Sequence, residues 1–248
     1  MLVELEIPPS KACSRVEACW RSIVGVEHLR ILGGRMSDNR LADIKLFYEI
    51  LTQIEHSNGG GRLLSHCTGR MDWPLRGIYF IREPQEVRRE TGEGSRIVRI
   101  RTHPTRPGSK TKLWGLLSQH RGNAKDGGGN HRGSIFRLRV GAALIEKDGA
   151  QHPTWGQDSS ATPEIRKTEQ PIERNVSDRI GKMTVTWLAV PDKPGPESLR
   201  AYIEKNAIAL LSNFGNPPLD PPSPGWLGYY CNIDLIGKSG LWPPCNRS

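Results

Sequence analysis

Long apolar runs are missing from this chain. No stretch approaches the roughly 18 consecutive apolar residues that a membrane-spanning helix needs. The stretch Met1 to Ser10 carries Glu4, Glu6 and a Pro pair where a secretory signal would need an apolar segment, so a cytoplasmic protein is expected. Cysteine is sparse: Cys13, Cys19, Cys67, Cys231 and Cys245 are odd in number, scattered, and form no C-x-x-C pair. That argues against a disulfide framework or a zinc ribbon and makes reduced thiols the expectation. Hydrophobic residues reach only 36% of 248, enough for one core with extensions. The Gly-rich run 127–129 lacks a following G-K-[ST] and is no phosphate-binding P-loop.

Glycine and proline, in contrast, are plentiful at 27 and 19, which predicts long loops between elements. Net charge is +9, and its distribution matters more than its size. From Arg76 to Arg139 fifteen Lys/Arg face five Asp/Glu, an excess of +10 that leaves −1 for the rest of the chain. A local excess of this kind is the expected footprint of a partner bearing phosphates, whose counterions it would release. A merely solvated basic surface is the alternative.

Three regions are read along the chain. Residues 1–37 show no sustained period and are expected to form an extension. From Asp38 the apolar residues Leu41, Ile44, Phe47, Tyr48, Leu51 and Ile54 recur at helical spacing, with Asp38 or Asn39 placed as the cap and Asn58 plus three glycines as the stop. Two strand-like runs follow, Gly77 to Ile81 and Arg96 to Ile100, as a hairpin with a long loop. A helix is predicted from near Ser109 to His120, with Leu113, Leu116 and Leu117 on one face. A third strand is read in SIFRLRV, where Ile135, Arg137 and Arg139 alternate with Phe136, Leu138 and Val140. Thr162-Pro163-Glu164 has the cap, first-turn proline and acid of a helix start, and Pro171 is expected to interrupt or restart that helix. Met183 to Val190 reads as a buried strand, and PDKPGPESLR as the entry to a helix carrying Leu199, Ile203, Ile208, Leu210 and Leu211. From Pro217 onward a Pro, Gly, Trp and Tyr-rich tail suggests a folded-over loop.

Gly77-Ile78-Tyr79 matches the first signature of the GIY-YIG nuclease family, on the strand where it belongs. The longer strings CTGRMDWPLRGIYF, LWGLLSQHRG, GGGNHRGSIFRL and SLRAYIEKNAIALLSN resemble a bacterial subgroup of GIY-YIG-like proteins, over about Phe47 to Trp242. The resemblance implies an α/β fold with a small, mainly antiparallel three-stranded sheet flanked by helices. A helical N-terminal extension and an added C-terminal strand and helix would complete it. The GIY-YIG-like domain would span 38–216, with an insertion at about 146–182, and the tail 217–248.

The resemblance also implies a site. Tyr79 would be the general base, a role that needs cations to stabilise a phenolate whose ordinary pKa is near 10. His120 would hydrogen-bond the nucleophile or a phosphate oxygen. Glu204 would hold Mg²⁺ or Mn²⁺, with Asn216, or its rival Asn213, completing the set. Arg99, Arg101, Lys112, Arg121 and Arg132 would contact the nucleic acid, most readily DNA. Two family positions are occupied differently here. Arg99-Ile100-Arg101 stands where the family has Y-I-G, and Leu116 stands four residues before His120, where the family has Arg. Arg101, Arg121 and Lys112 are the candidates to replace the missing charge. Each site residue also has an ordinary structural reading: Tyr79 as a strand aromatic, His120 as a helix C-terminal histidine, Glu204 as a helical surface acid. The implied activity is a divalent-metal-dependent endonuclease. The alternative is a catalytically weakened nucleic-acid-binding protein.

Overall fold

A computed structural model describes residues 36–103, 111–193, 195 and 198–242; the expectations for residues 1–35, 104–110, 194, 196–197 and 243–248 lie outside it. Its regular elements are α1 (Met36–Ser57), β1 (Arg62–Leu63), β2 (Gly77–Val87), β3 (Ser95–His103), α2 (Leu113–Arg121), α3 (Ile135–Asp148), α4 (Pro163–Gly181), β4 (Thr184–Ala189), α5 (Leu199–Leu211) and α6 (Asp234–Ser239). The strands form one antiparallel sheet in the order β1-β4-β2-β3.

The sheet separates two apolar layers, and the alternation along β2 decides which residue faces which. Ile78 and Phe80 pack with Ile44, Phe47, Leu51 and Ile54 of α1 and Ile203 and Ala207 of α5. Tyr79 and Ile81 face the other way, toward Leu113 and Leu117 of α2, Phe136, Val140 and Ala143 of α3, and Val176 and Ile180 of α4. Each fully buried apolar side chain contributes about 1.5–3 kcal/mol, so burial on both faces gives the short sheet its stability. Gly77 has a separate reason: a Cβ there would sit 2.6 Å from the backbone oxygen of Leu188 on β4.

Several elements depart from the sequence expectations. SIFRLRV is not a strand but the first two turns of α3, and the third long strand is β4 instead. Ser134 caps that helix by accepting from the N–H of Arg137, and the buried positions Phe136, Val140 and Ala143 follow helical spacing. The alternation that suggested a basic strand face arises because Arg137 points inward to an ion pair with Glu173. The hairpin loop is short, because β2 and β3 run on to Val87 and from Ser95. Their extended ends bury Glu83 and Glu86, which are paired with Arg179 and Arg96. Helix α4 passes through Pro171 unbroken. Pro171 and Lys167, whose carbonyl loses its N–H partner, are both exposed, so water can satisfy that group while Ile172, Val176 and Ile180 anchor the helix. Helix α1 is described from Met36, so Asp38 and Asn39 fall within it rather than at its cap.

The tail is held tightly. Trp226 and Trp242 are buried against the α3 side of the sheet, and the Trp242 N–H donates to the carbonyl of Val98 at 2.7 Å. Strand β3 is the outer strand on this side. Its Ile97 N–H donates to the Tyr48 hydroxyl at 3.0 Å and its Thr102 N–H to Glu204 at 2.8 Å.

Candidate functional site

Tyr79 sits in an inner strand of the sheet, with Arg101 on β3 and Trp187 on β4 as its direct ladder partners. Its phenol is wholly buried. Tyr79 Oη lies 2.9 Å from His120 Nε2 and accepts from Arg99 Nε at 3.3 Å. His120 lies in the last turn of α2, which Arg121 ends and after which Gly122, at φ +84°, turns the chain away. A Cβ on Gly122 would meet the Gly128 oxygen at 2.4 Å. The other ring nitrogen, Nδ1, is 2.7 Å from Ser134 Oγ, and the His120 carbonyl accepts from Arg137 Nη1 at 3.0 Å. The guanidinium of Arg99 lies over the Phe136 ring at 4.6 Å.

Burial dominates the protonation of this pair. It pushes the Tyr79 phenol above its ordinary 10, against the lowering effect of Arg99 and Arg101. It pushes His120 well below 6.5, and the nearby Arg99, Arg137 and Arg101 add to that shift. Tyr79 thus keeps its proton and His120 is neutral. The buried phenol needs an acceptor for its O–H, and His120 Nε2 is in place to accept it, leaving Nδ1–H to donate to Ser134 Oγ.

Glu204 and Arg101 belong to the same neighbourhood, since both charges act on the Tyr79 phenol. Glu204, in the second turn of α5, receives Arg101 Nη1 on Oε1 at 2.7 Å. Its Oε2 accepts the Thr102 N–H at 2.8 Å and the Thr102 hydroxyl at 2.6 Å. Both carboxylate oxygens are therefore engaged by the protein. Among the described residues no group of three or more His, Cys, Asp and Glu is placed to hold a metal ion. The divalent ion implied by the resemblance does not fit this arrangement. The Glu204 carboxylate is neutralised by the Arg101 guanidinium.

The remaining expected residues are dispersed. Asn216 closes the turn after α5 through the carbonyls of Ser212 and Phe214, at 3.3 and 3.4 Å, and Asn213 accepts from Arg40 and from the Leu219 N–H. Leu116 packs against the apolar layer around α2. Arg99 is buried, and Arg132 makes a two-pronged ion pair with Glu169 at 2.6 and 2.9 Å. Lys112 is exposed at the start of α2, and Arg121 at its end is partly exposed, bonded to the Cys67 carbonyl at 2.6 Å and stacked on Trp114. His103 bonds the Thr111 carbonyl, and His131 stacks on Trp155 and bonds Glu173.

The local charge excess is answered in part in three dimensions. Arg82, Arg101, Arg132 and Arg137 pair with Glu55, Glu204, Glu169 and Glu173, all outside the basic segment. Sequence reasoning missed Ser134, Thr102 and the Arg137–Glu173 pair. Ser134 carried a signal, a capping residue before a helical period. Thr102 carried none, because its role depends on α5 reaching the edge of β3.

The profile of the GIY-YIG domain matches residues 38–246. No curated protein and no solved structure matches significantly.

Proposed function

We propose a function from one premise: the chain belongs to the GIY-YIG domain family. The reading is of a GIY-YIG-like domain that binds nucleic acid, DNA first among its candidates, and whose hydrolytic chemistry is held back by its own side chains. The observation that carries it is the full engagement of Glu204 by Arg101 and Thr102. Protonation at the phenol agrees with this, since a Tyr79 that keeps its proton cannot take one from water. Leu116 adds no cation where a developing phosphate charge would need one, and loss of one such stabiliser commonly costs 10² or more in rate.

Binding does not depend on those groups. Lys112 and Arg121 present positive charge at the two ends of α2. Fluorescence anisotropy with a DNA duplex tests the reading. Affinity is expected to fall steeply from low to moderate salt as condensed counterions lose their advantage. Binding that is absent, or indifferent to salt, would overturn it.

One observation favours a second reading, a working endonuclease: the 2.9 Å contact of Tyr79 Oη with His120 Nε2. Here His120 would take the phenol proton, and Arg99 and Arg101 would stabilise the phenolate. Supercoiled plasmid incubated with Mg²⁺, with Mn²⁺ and with chelator decides between the two. Nicking lost in both Tyr79→Phe and Glu204→Ala supports the enzyme, whereas nicking that survives both belongs to a contaminant.

A further inference from the structure

We propose that Arg101 is a tethered cation that closes the Glu204 carboxylate to divalent metal, so that replacing Arg101 by a small or uncharged residue opens a metal site in this protein. The inference deepens the reading above and rests on its assignment of Glu204 to the site.

Two constraints act on the same carboxylate. The first is charge. Arg101 Nη1 sits 2.7 Å from Glu204 Oε1, and a Mg²⁺ ion bound to that oxygen at about 2.0–2.1 Å would lie against the guanidinium. Like charges at such separation in a partly buried site repel strongly. The second is the backbone. Glu204 Oε2 is the acceptor for the Thr102 N–H on the outer strand of the sheet, at 2.8 Å. Turning the carboxylate toward an ion would leave that buried donor unmet. Mg²⁺ keeps several waters and takes only one or two carboxylates from a protein, so neutralising Glu204 removes the protein's share here.

Arg101 is the element of this arrangement that can be removed with least damage. Its side chain is 20% exposed, whereas Glu204 and Thr102 are buried and tie α5 to β3. Without Arg101, Glu204 would keep Thr102 on Oε2 and expose Oε1 with an uncompensated negative charge.

Mn²⁺ titration of the full chain, read by electron paramagnetic resonance without nucleic acid, tests this. Wild type is expected to show no site that depends on Glu204. Arg101→Gly and Arg101→Met are each expected to bind one Mn²⁺ at least about tenfold more tightly than wild type, and a second substitution, Glu204→Gln, should erase the gain. A Mn²⁺ site in wild type that Glu204→Gln abolishes would overturn the proposal, and so would folded variants, verified by circular dichroism, that gain nothing. If the glycine variant unfolds, the methionine variant carries the test. DNA binding is not part of the readout, so failure of the nucleic-acid reading and failure of this one are separate results.

Discussion

Arg137 Nε lies 3.0 Å from Glu173 Oε2 with both side chains inside the protein, while the same guanidinium holds the carbonyl of His120. The pair thus fixes the end of α2 against α3 and α4, and His120 with it. Breaking a buried pair from one side leaves the other charge stranded, which costs about 3–5 kcal/mol. Arg137→Met is expected to lower unfolding free energy by about that amount in urea denaturation. A loss below about 1 kcal/mol would mean that water reaches Glu173.

Acid should destabilise the protein earlier than its carboxylates alone would dictate. His120 is held well below 6.5 by burial, so the unfolded chain takes up a proton that the folded chain refuses. The stability this represents is complete above about pH 6.5 and declines as pH falls below it, by at most about 1.4 kcal/mol per pH unit for the group. His103, lowered by partial burial, adds to the same window. Glu169 and Glu173 would be raised by burial alone, yet they are held below 4.5 by Arg132 and by His131 with Arg137, so their losses come only at lower pH. Melting temperatures from about pH 7.5 to 5.5 should fall in wild type and flatten in His120→Gln. An unchanged slope in His120→Gln would exclude the assignment.

Removing one oxygen should be costly at Tyr79. Tyr79→Phe leaves Arg99 Nε and His120 Nε2 without their shared partner in a dry interior, and the expected loss is about 1–3 kcal/mol. Duplex affinity should not change, because the phenol is sealed from the surface. Denaturation and anisotropy on the same preparation check both halves, and weakened binding at full stability would place the phenol on the ligand.

Exposed and internal cations should separate in salt titrations. Lys112→Gln and Arg121→Gln are each expected to weaken DNA binding and lower the salt slope by about 0.9, one phosphate contact apiece. Arg132→Gln should instead lower the melting temperature and leave the slope intact, since its guanidinium is spent on Glu169. An equal slope change in all three would argue for non-specific charge.

The sequence was most informative where one local rule governed the outcome. The helical period of Leu41 to Ile54, the Thr162-Pro163 start and the buried run before Val190 all reappear as elements. Of the residues singled out in the sequence, Tyr79 and His120 meet, and the Glu204 charge acts on the Tyr79 phenol. Misreadings arose where a charged residue goes inside. Arg137 looked like one face of a strand because its partner Glu173 lies 36 residues away. The basic segment overstated its outward charge for the same reason. Arg101 could be seen to replace a glycine, but its hold on Glu204 depends on how α5 packs against the sheet.

The outer strand has one further consequence. An outer strand with bare N–H and C=O groups is a template on which a neighbouring molecule can add its own strand. Along β3 three such groups are already spoken for, by Tyr48, Trp242 and Glu204, each delivered from a different part of the chain. The same contacts that shape the site therefore blunt edge-to-edge association, and a chain shortened before Trp226 would lose one of them and become more prone to aggregate.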